Sequence, residues 1–152
     1  MAKNQIIQKT VEIKNKRASF EYFFIDTFEA GIMLVGTEIK SIRQSKVNFG
    51  DAFCVFLGNE LWVRAMHISK YELGTDANHD PIRDRKLLLK KKELIKLNDK
   101  LKDQGLTIIP IKLYINEKGL AKLDIALAKG KKLFDKRDTI KEKDVKRDME
   151  RD

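Results

Sequence analysis

Two imidazoles are present in the chain, His67 in RAMHISKY and His79 in DANHDPIR. A pair of imidazoles can cleave RNA as general acid and base, provided both reach one phosphate. Their contexts differ: His67 ends an apolar run that reads as a strand, while His79 lies inside a polar loop. The His79-Asp80 dipeptide resembles a metal-ligand pair, but zinc needs more ligands than two adjacent residues supply. Asp80-Pro81 is a turn initiator, and the plainer reading is that His79 packs or hydrogen-bonds locally. The one cysteine, Cys54, sits inside AFCVFL. Without a second thiol or a ligand spacing it reads as a small buried hydrophobe. GTEIKS lacks the spacing and the lysine of a phosphate-binding loop. No Ser or Cys nucleophile motif is visible. An RNA-processing enzyme built on His79 and Asp80 is kept as the alternative function; no metal or cofactor is expected.

The residues better suited to chemistry are cationic. Lys plus Arg number 32 against 23 Asp plus Glu, a net charge of +9. That excess favours an anionic partner, a nucleic acid or an acidic membrane face. No run approaches the roughly 18 apolar residues of a membrane span. The N-terminus MAKNQIIQKTVEIKNKR lacks the apolar centre of a signal peptide, so a cytoplasmic protein without membrane contact is expected. The basic residues cluster as Lys14, Lys16 and Arg17; Lys40, Arg43 and Lys46; Arg83, Arg85 and Lys86; and Lys90, Lys91 and Lys92. They fall at the ends of elements or in loops, where they can reach phosphates in a salt-dependent way.

Elements must hold these clusters in place. In IQKTVEIKNK, Ile7, Val11 and Ile13 alternate with polar residues and predict a half-buried strand. RASFEYFFIDTFEA does not alternate and predicts a short helix with Ala18, Tyr22 and Ile25 near one face. GIMLV reads as a buried strand. Val35, Ile39 and Ile42 predict a helix over about 37–44, with Glu38, Lys40, Ser41 and Arg43 on its polar surface. AFCVFL and ELWVR flank Gly58-Asn59, a tight hairpin. The polar stretch SKYELGTDANHDPIRDR is long for a connection in a compact domain. Leu94, Leu97 and Leu101 predict a helix that Gly105 would cap. LTIIPIKLYI and LAKLDIALA form another hairpin, with Pro110 at an edge or bulge. The expected fold is mainly β: an OB-like antiparallel barrel of about six strands with three helices, a class that offers nucleic acids a surface.

The segment FEAGIMLVGTEIKSIRQSKVN resembles the signature of the SmpB family, tmRNA-binding proteins of bacterial ribosome rescue. NKRASFEYFF, HISKYELGTDANHDPIRDRKLLLKKKEL and LTIIPIKLYINEKGLAKLDIALAKGKKLFDKRDTIKEK extend the resemblance over nearly the whole chain. It implies an OB-like barrel that binds the tRNA-like domain of tmRNA, supports its alanylation and carries it to the A site of stalled ribosomes. The partners implied are tmRNA, the small-subunit decoding centre and mRNA path of the ribosome, and, through the RNA, alanyl-tRNA synthetase and elongation factor Tu. By resemblance the RNA-binding positions are Asn15, Lys16 and Arg17, then Glu29, then Thr37, Glu38, Lys40, Ser41 and Arg43, then Leu88 and Lys122. Glu29 either accepts hydrogen bonds from bases and riboses or pairs with a nearby lysine.

The end of the chain reads as a separate device. Residues 1–128 are expected to form the barrel and 129–152 a basic tail, disordered when free. Lys143, Arg147 and Arg151 recur at helical spacing beside a row of Asp144, Asp148 and Asp152. Ion pairs at this spacing contribute only about 0.2–0.5 kcal/mol each, so such a helix is marginal alone. Folding on an RNA partner is the expectation. By resemblance Gly130, Lys131, Lys132, Phe134, Asp135, Lys136 and Arg137 would reach the decoding centre. Lys141, Lys143, Lys146, Arg147 and Arg151 would continue along the empty mRNA path. Where the family also uses His or Tyr, this chain has Phe134, which keeps a π-face but no side-chain hydrogen bond.

Overall fold

A computed structural model of the chain describes residues 11–74, 78–102 and 105–131. The last 21-odd residues of the tail, from Lys132 onward, and the Ile7 end of the first predicted strand therefore lie outside the described residues. Nine strands and three helices occur among those described: β1 (Glu12–Lys14), α1 (Lys16–Glu21), β2 (Tyr22–Ile32), α2 (Gly36–Arg43), β3 (Val47–Asn48), β4 (Phe53–Leu57), β5 (Glu60–Arg64), β6 (His67–Ile68), β7 (Arg85–Leu88), α3 (Lys91–Lys100), β8 (Leu106–Ile115) and β9 (Ala121–Gly130).

Six of the strands close a ring. The main sheet runs β1-β8-β4-β5-β7-β2-β9, and β8 pairs again with β9. All these pairings are antiparallel. Strand β8 is long enough to take two neighbours on one edge: Cys54 of β4 pairs with Ile108, and β1 pairs further along, Lys14 with Lys112. Closure satisfies edges that would otherwise invite pairing with other chains. Leu61, Val63, Ile108, Leu113, Leu123, Ile125 and Leu127 are fully buried inside the ring. Each such side chain contributes about 1.5–3 kcal/mol by leaving water. The helix α3 adds Leu97, with Leu94 and Leu101 packed around it.

The hairpins follow the expected turns. Gly58 adopts φ +66 between β4 and β5. The β8–β9 register shifts between Pro110 and Lys112, a bulge beside the proline. Three local expectations are corrected. The aromatic run is a helix only over Lys16–Glu21; from Tyr22 it is strand, because β2 pairs with β9 along its length. Tyr22 and Ile25 thus belong to β2, and Ile25 falls at its register shift. GIMLV is not a strand of its own: β2 ends at Ile32, and Met33 and Val35 are about half exposed. Helix α3 closes at Leu101, ahead of Gly105.

Helix α2 occupies the predicted residues but is rotated. Its buried face is Glu38, Ser41 and Ile42, not Val35, Ile39 and Ile42. Glu38 and Ser41, expected on the polar surface, are both fully buried. The apolar spacing allowed either face. The choice is made by a cationic side chain inside the molecule, Arg85, which needs a carboxylate partner.

Candidate nucleic-acid interface

Three expected contact residues far apart in sequence meet at one end of the barrel. Glu29 on β2 and Lys122 on β9 line an open groove of about 750 Å³ with Lys112, Tyr114, Lys118 and Leu120. A smaller depression of about 240 Å³ adjoins it, sharing Leu120 and Lys122 and adding Gly31, Leu34, Ile39 and Leu88. Leu88 and Leu120 are half exposed, at 50% and 53%. The register explains the assembly: Gly31 pairs with Leu88 on one side and with Lys122 on the other. Arg43, at the end of α2, stands beside the β8–β9 turn, its Nη2 3.8 Å from where a Gly119 side chain would begin. The groove thus joins apolar walls, two exposed leucines and cations, a surface suited to unstacked bases and phosphates.

The carboxylate of Glu29 accepts a hydrogen bond from the Tyr114 hydroxyl. Its position is therefore set by a phenol across the sheet rather than by a lysine. Burial, and then the Glu29 hydrogen bond, push the Tyr114 phenol well above its usual value. It remains a donor throughout the physiological range. Asp124, directly opposite Glu29, is also pushed up, by burial and by the Glu29 and Glu12 carboxylates, against the pull of Lys112 at 3.5 Å. Like charges opposite one another are offset here because each carboxylate has its own partner, the Tyr114 hydroxyl for Glu29 and the Lys112 ammonium for Asp124.

The other expected contacts form two further patches. Asn15 and Arg17 line a small pocket with Gly50, Asp51 and Ala52. The Asn15 side-chain amide donates to the Pro110 carbonyl at 2.8 Å, so this residue ties α1 to β8. Lys16 and Arg17 are exposed. The Arg17 Nε donates to Glu21 at 2.7 Å, and its Nη1 lies 3.5 Å from Asp51. Thr37 and Lys40 face a third concavity with Asn78, His79 and Arg83. The Lys40 ammonium sits 5.3 Å from the Tyr71 ring centre, a cation–π contact.

His79 is buried and fully engaged. Its Nε2 lies 2.9 Å from the Ile68 carbonyl, which can only accept, so Nε2 carries the proton. Its Nδ1, 2.9 Å from the Thr37 hydroxyl, then accepts from it. Asp80 accepts from the Ile82 amide at 3.1 Å, as a turn residue does. His67 is exposed on β6, opposite Asn48. Cys54 is buried, and burial pushes its thiol far above the reactive range. Among the described residues no group of three or more His, Cys, Asp or Glu could hold a metal.

Four cations expected at phosphates are placed otherwise. Arg85 has no exposure at all, and Arg83 spends its guanidinium on Glu38. Lys86 pairs with Glu60 and Lys46 with Glu72. At the root of the tail, Gly130 ends β9 opposite Tyr22. The Lys131 amide donates to Glu21 at 2.8 Å and its ammonium to the Ser19 carbonyl at 3.1 Å. Phe134, Asp135 and the other expected tail contacts lie outside the described residues. Sequence reasoning missed Tyr114 and Leu120. The β8–β9 hairpin sets Tyr114 opposite Lys122, and the β2–β9 pairing brings Glu29 to them; that second, non-local pairing was not readable from composition or spacing.

Comparison with known proteins identifies the family of the chain. The family model described as SmpB protein matches residues 12–152. The SsrA-binding protein of Phocaeicola vulgatus is 60% identical over 141 residues, 93% of this chain and 94% of that one. That of Cytophaga hutchinsonii is 57% identical over 145 residues, 95% of each chain. A chain of a solved tmRNA–SmpB structure of the bacterial ribosome superposes with a TM-score of 0.70 at 47% identity, covering 81% of this chain and 86% of that one. No helix among the described residues is long and apolar enough to cross a membrane. With its closed six-stranded ring and a family match running to its last residue, the chain belongs to the SmpB family.

Proposed function

We propose that this chain is an RNA-binding adaptor of trans-translation. The barrel binds the tRNA-like domain of tmRNA, supports its alanylation and delivers it to the A site of a stalled ribosome. The observation that carries this reading is the pair of adjoining concavities that share Lys122, one lined by Glu29 and the other by Leu88, from three strands. Lys122 and Arg43 are placed for phosphates, Leu88 and Leu120 for the face of an unstacked base. Glu29, steadied by Tyr114, is an acceptor for base amino groups or ribose hydroxyls. Lys16, Arg17, Lys40 and Thr37 extend the contact to the flanks. Alanyl-tRNA synthetase and elongation factor Tu are met through the RNA. The two chemical features of an RNA-processing site, His79 and Asp80, are committed to internal hydrogen bonds, and no observation favours that alternative.

In the same reading the tail acts on the ribosome. Residues from Lys132 enter the vacant mRNA path, following on from Gly130 and Lys131. Phe134 stacks on an rRNA base, a contact of about 1–3 kcal/mol in comparable cases. Phe134→Ala is then expected to depress peptide tagging on stalled ribosomes while leaving tmRNA affinity within twofold. The identity of the RNA is tested by recovering the protein from cells and sequencing what accompanies it. One dominant tRNA-like RNA is expected; bulk mRNA without it would overturn the reading.

A further inference from the structure

A buried ion cluster sits under the cationic helix. Oε1 of Glu38 accepts the Val35 amide at 2.9 Å and Arg83 Nη2 at 2.6 Å. Its Oε2 accepts Arg83 Nε at 3.1 Å and the Arg85 Nε. Arg85 then donates Nη1 to the Met66 carbonyl at 2.7 Å and Nη2 to the Pro81 carbonyl at 3.1 Å. Arg83 reaches back to the Met33 carbonyl at 3.3 Å. One carboxylate therefore joins the end of β2, the start of α2, the β5–β6 turn, the loop before β7 and β7 itself. The Thr37–His79–Ile68 chain is a second tie between the same parts.

We propose that Glu38 is a positioning residue for RNA binding, which acts through Arg83 and Arg85 by fixing the pose of α2 and so of Lys40 and Arg43. The inference rests on the RNA-binding reading above. Glu38 and Arg85 have no exposure, so neither meets a phosphate or a base directly. A helix of eight residues cannot hold itself in water, so its direction comes from its anchors. Arg43 follows Glu38 by five residues, about 7 Å along the axis, and a tilt at Glu38 displaces it from the Gly119 turn. Surface-grade attraction would not need this arrangement. A buried carboxylate that accepts four hydrogen bonds, beside a buried guanidinium that donates three, is a joint, costly to break at one partner.

Arg85→Lys is the decisive variant, since it keeps the charge, cannot touch RNA and loses the fork to Met66 and Pro81. Affinity for the unmodified tRNA-like domain is measured together with amide exchange in α2 and in residues 79–83. About tenfold weaker binding and faster exchange in both segments are expected for Arg85→Lys and for Glu38→Gln. The double variant should lose no more than the worse single one, because coupled partners are not additive. A loss confined to Glu38→Gln, with Arg85→Lys within twofold of the parent, would make Glu38 a direct contact and overturn the proposal. Should Glu38→Gln not fold, Glu38→Leu/Arg85→Met replaces the pair by apolar side chains that often restore stability. A stable double variant still at least tenfold weak supports positioning; one that binds like the parent reduces the cluster to stability alone. If the parent itself fails to bind the RNA, the functional reading has failed, whereas exchange in α2 still reports on the joint.

Discussion

Glu38 ties titration to stability in a definite direction. Burial alone would raise its carboxyl, but hydrogen bonds from Arg83, the Val35 amide and Arg85 outweigh that and hold it below the usual range. A carboxyl depressed in the folded state contributes stability that is complete above its unfolded value, about 4.3, and lost as pH falls through the folded one. Urea midpoints should therefore drop below about pH 4 in the parent, and Glu38→Gln should flatten that limb while lowering stability at pH 7. Asp124 is raised, so its contribution has the opposite sign and fades as pH climbs through its folded value. At His79, removal of the ring leaves the Ile68 carbonyl and Thr37 hydroxyl without partners. His79→Ala is expected to cost about 1–3 kcal/mol in chemical denaturation and to leave RNA integrity unchanged on incubation. The sequence made the local role of His79 legible, because Asp80-Pro81 announces a turn. It did not reveal that Glu38 and Ser41 face inward: the partner that Glu38 meets there is Arg85, forty-seven residues away.

Among the elements, the hairpins were the most legible, since glycine-bearing turns and flanking apolar runs are local signals. The strand β2 was not. Its aromatic, non-alternating start is ambiguous alone, and only pairing with β9 makes it strand from Tyr22. The shift between Phe24 and Asp26 explains why alternation fails there, since an inserted residue puts the following side chains on the other face. Further along β2, Gly31 controls the depression beside Leu88. A methyl group at Gly31 would approach the Leu88 Cβ to 3.3 Å. Gly31→Ala should cost about 1 kcal/mol of stability by overpacking, and it should weaken RNA binding by moving Leu88, as a titration of the tRNA-like domain would register.

At the scale of the whole molecule the charge is shared unequally between two tasks. Many barrel cations are paired, as Lys46, Lys86, Arg83, Arg85, Arg17 and Lys112 are, so that in the proposed reading phosphates fall to a few cations such as Lys122, Lys16 and Arg43. Binding should thus weaken linearly on a log–log plot against salt, with a slope that reports the few phosphates engaged. The barrel was foreshadowed by the count of hairpins, but the order of its strands was not, because no local pattern encodes that β2 meets β7 and β9 or that β4 meets β8. The strand β9 runs to Gly130 and the Lys131 amide is bound to α1, so both residues belong to the barrel. The central claim is that the barrel alone selects the RNA and the tail alone reads the ribosome. The most direct test is the affinity of a chain ending at Lys131 for the tRNA-like domain of tmRNA, measured beside peptide tagging on stalled ribosomes. Affinity within about threefold of the full chain, with tagging abolished, is the predicted result; loss of RNA binding on removal of residues 132–152 would contradict it.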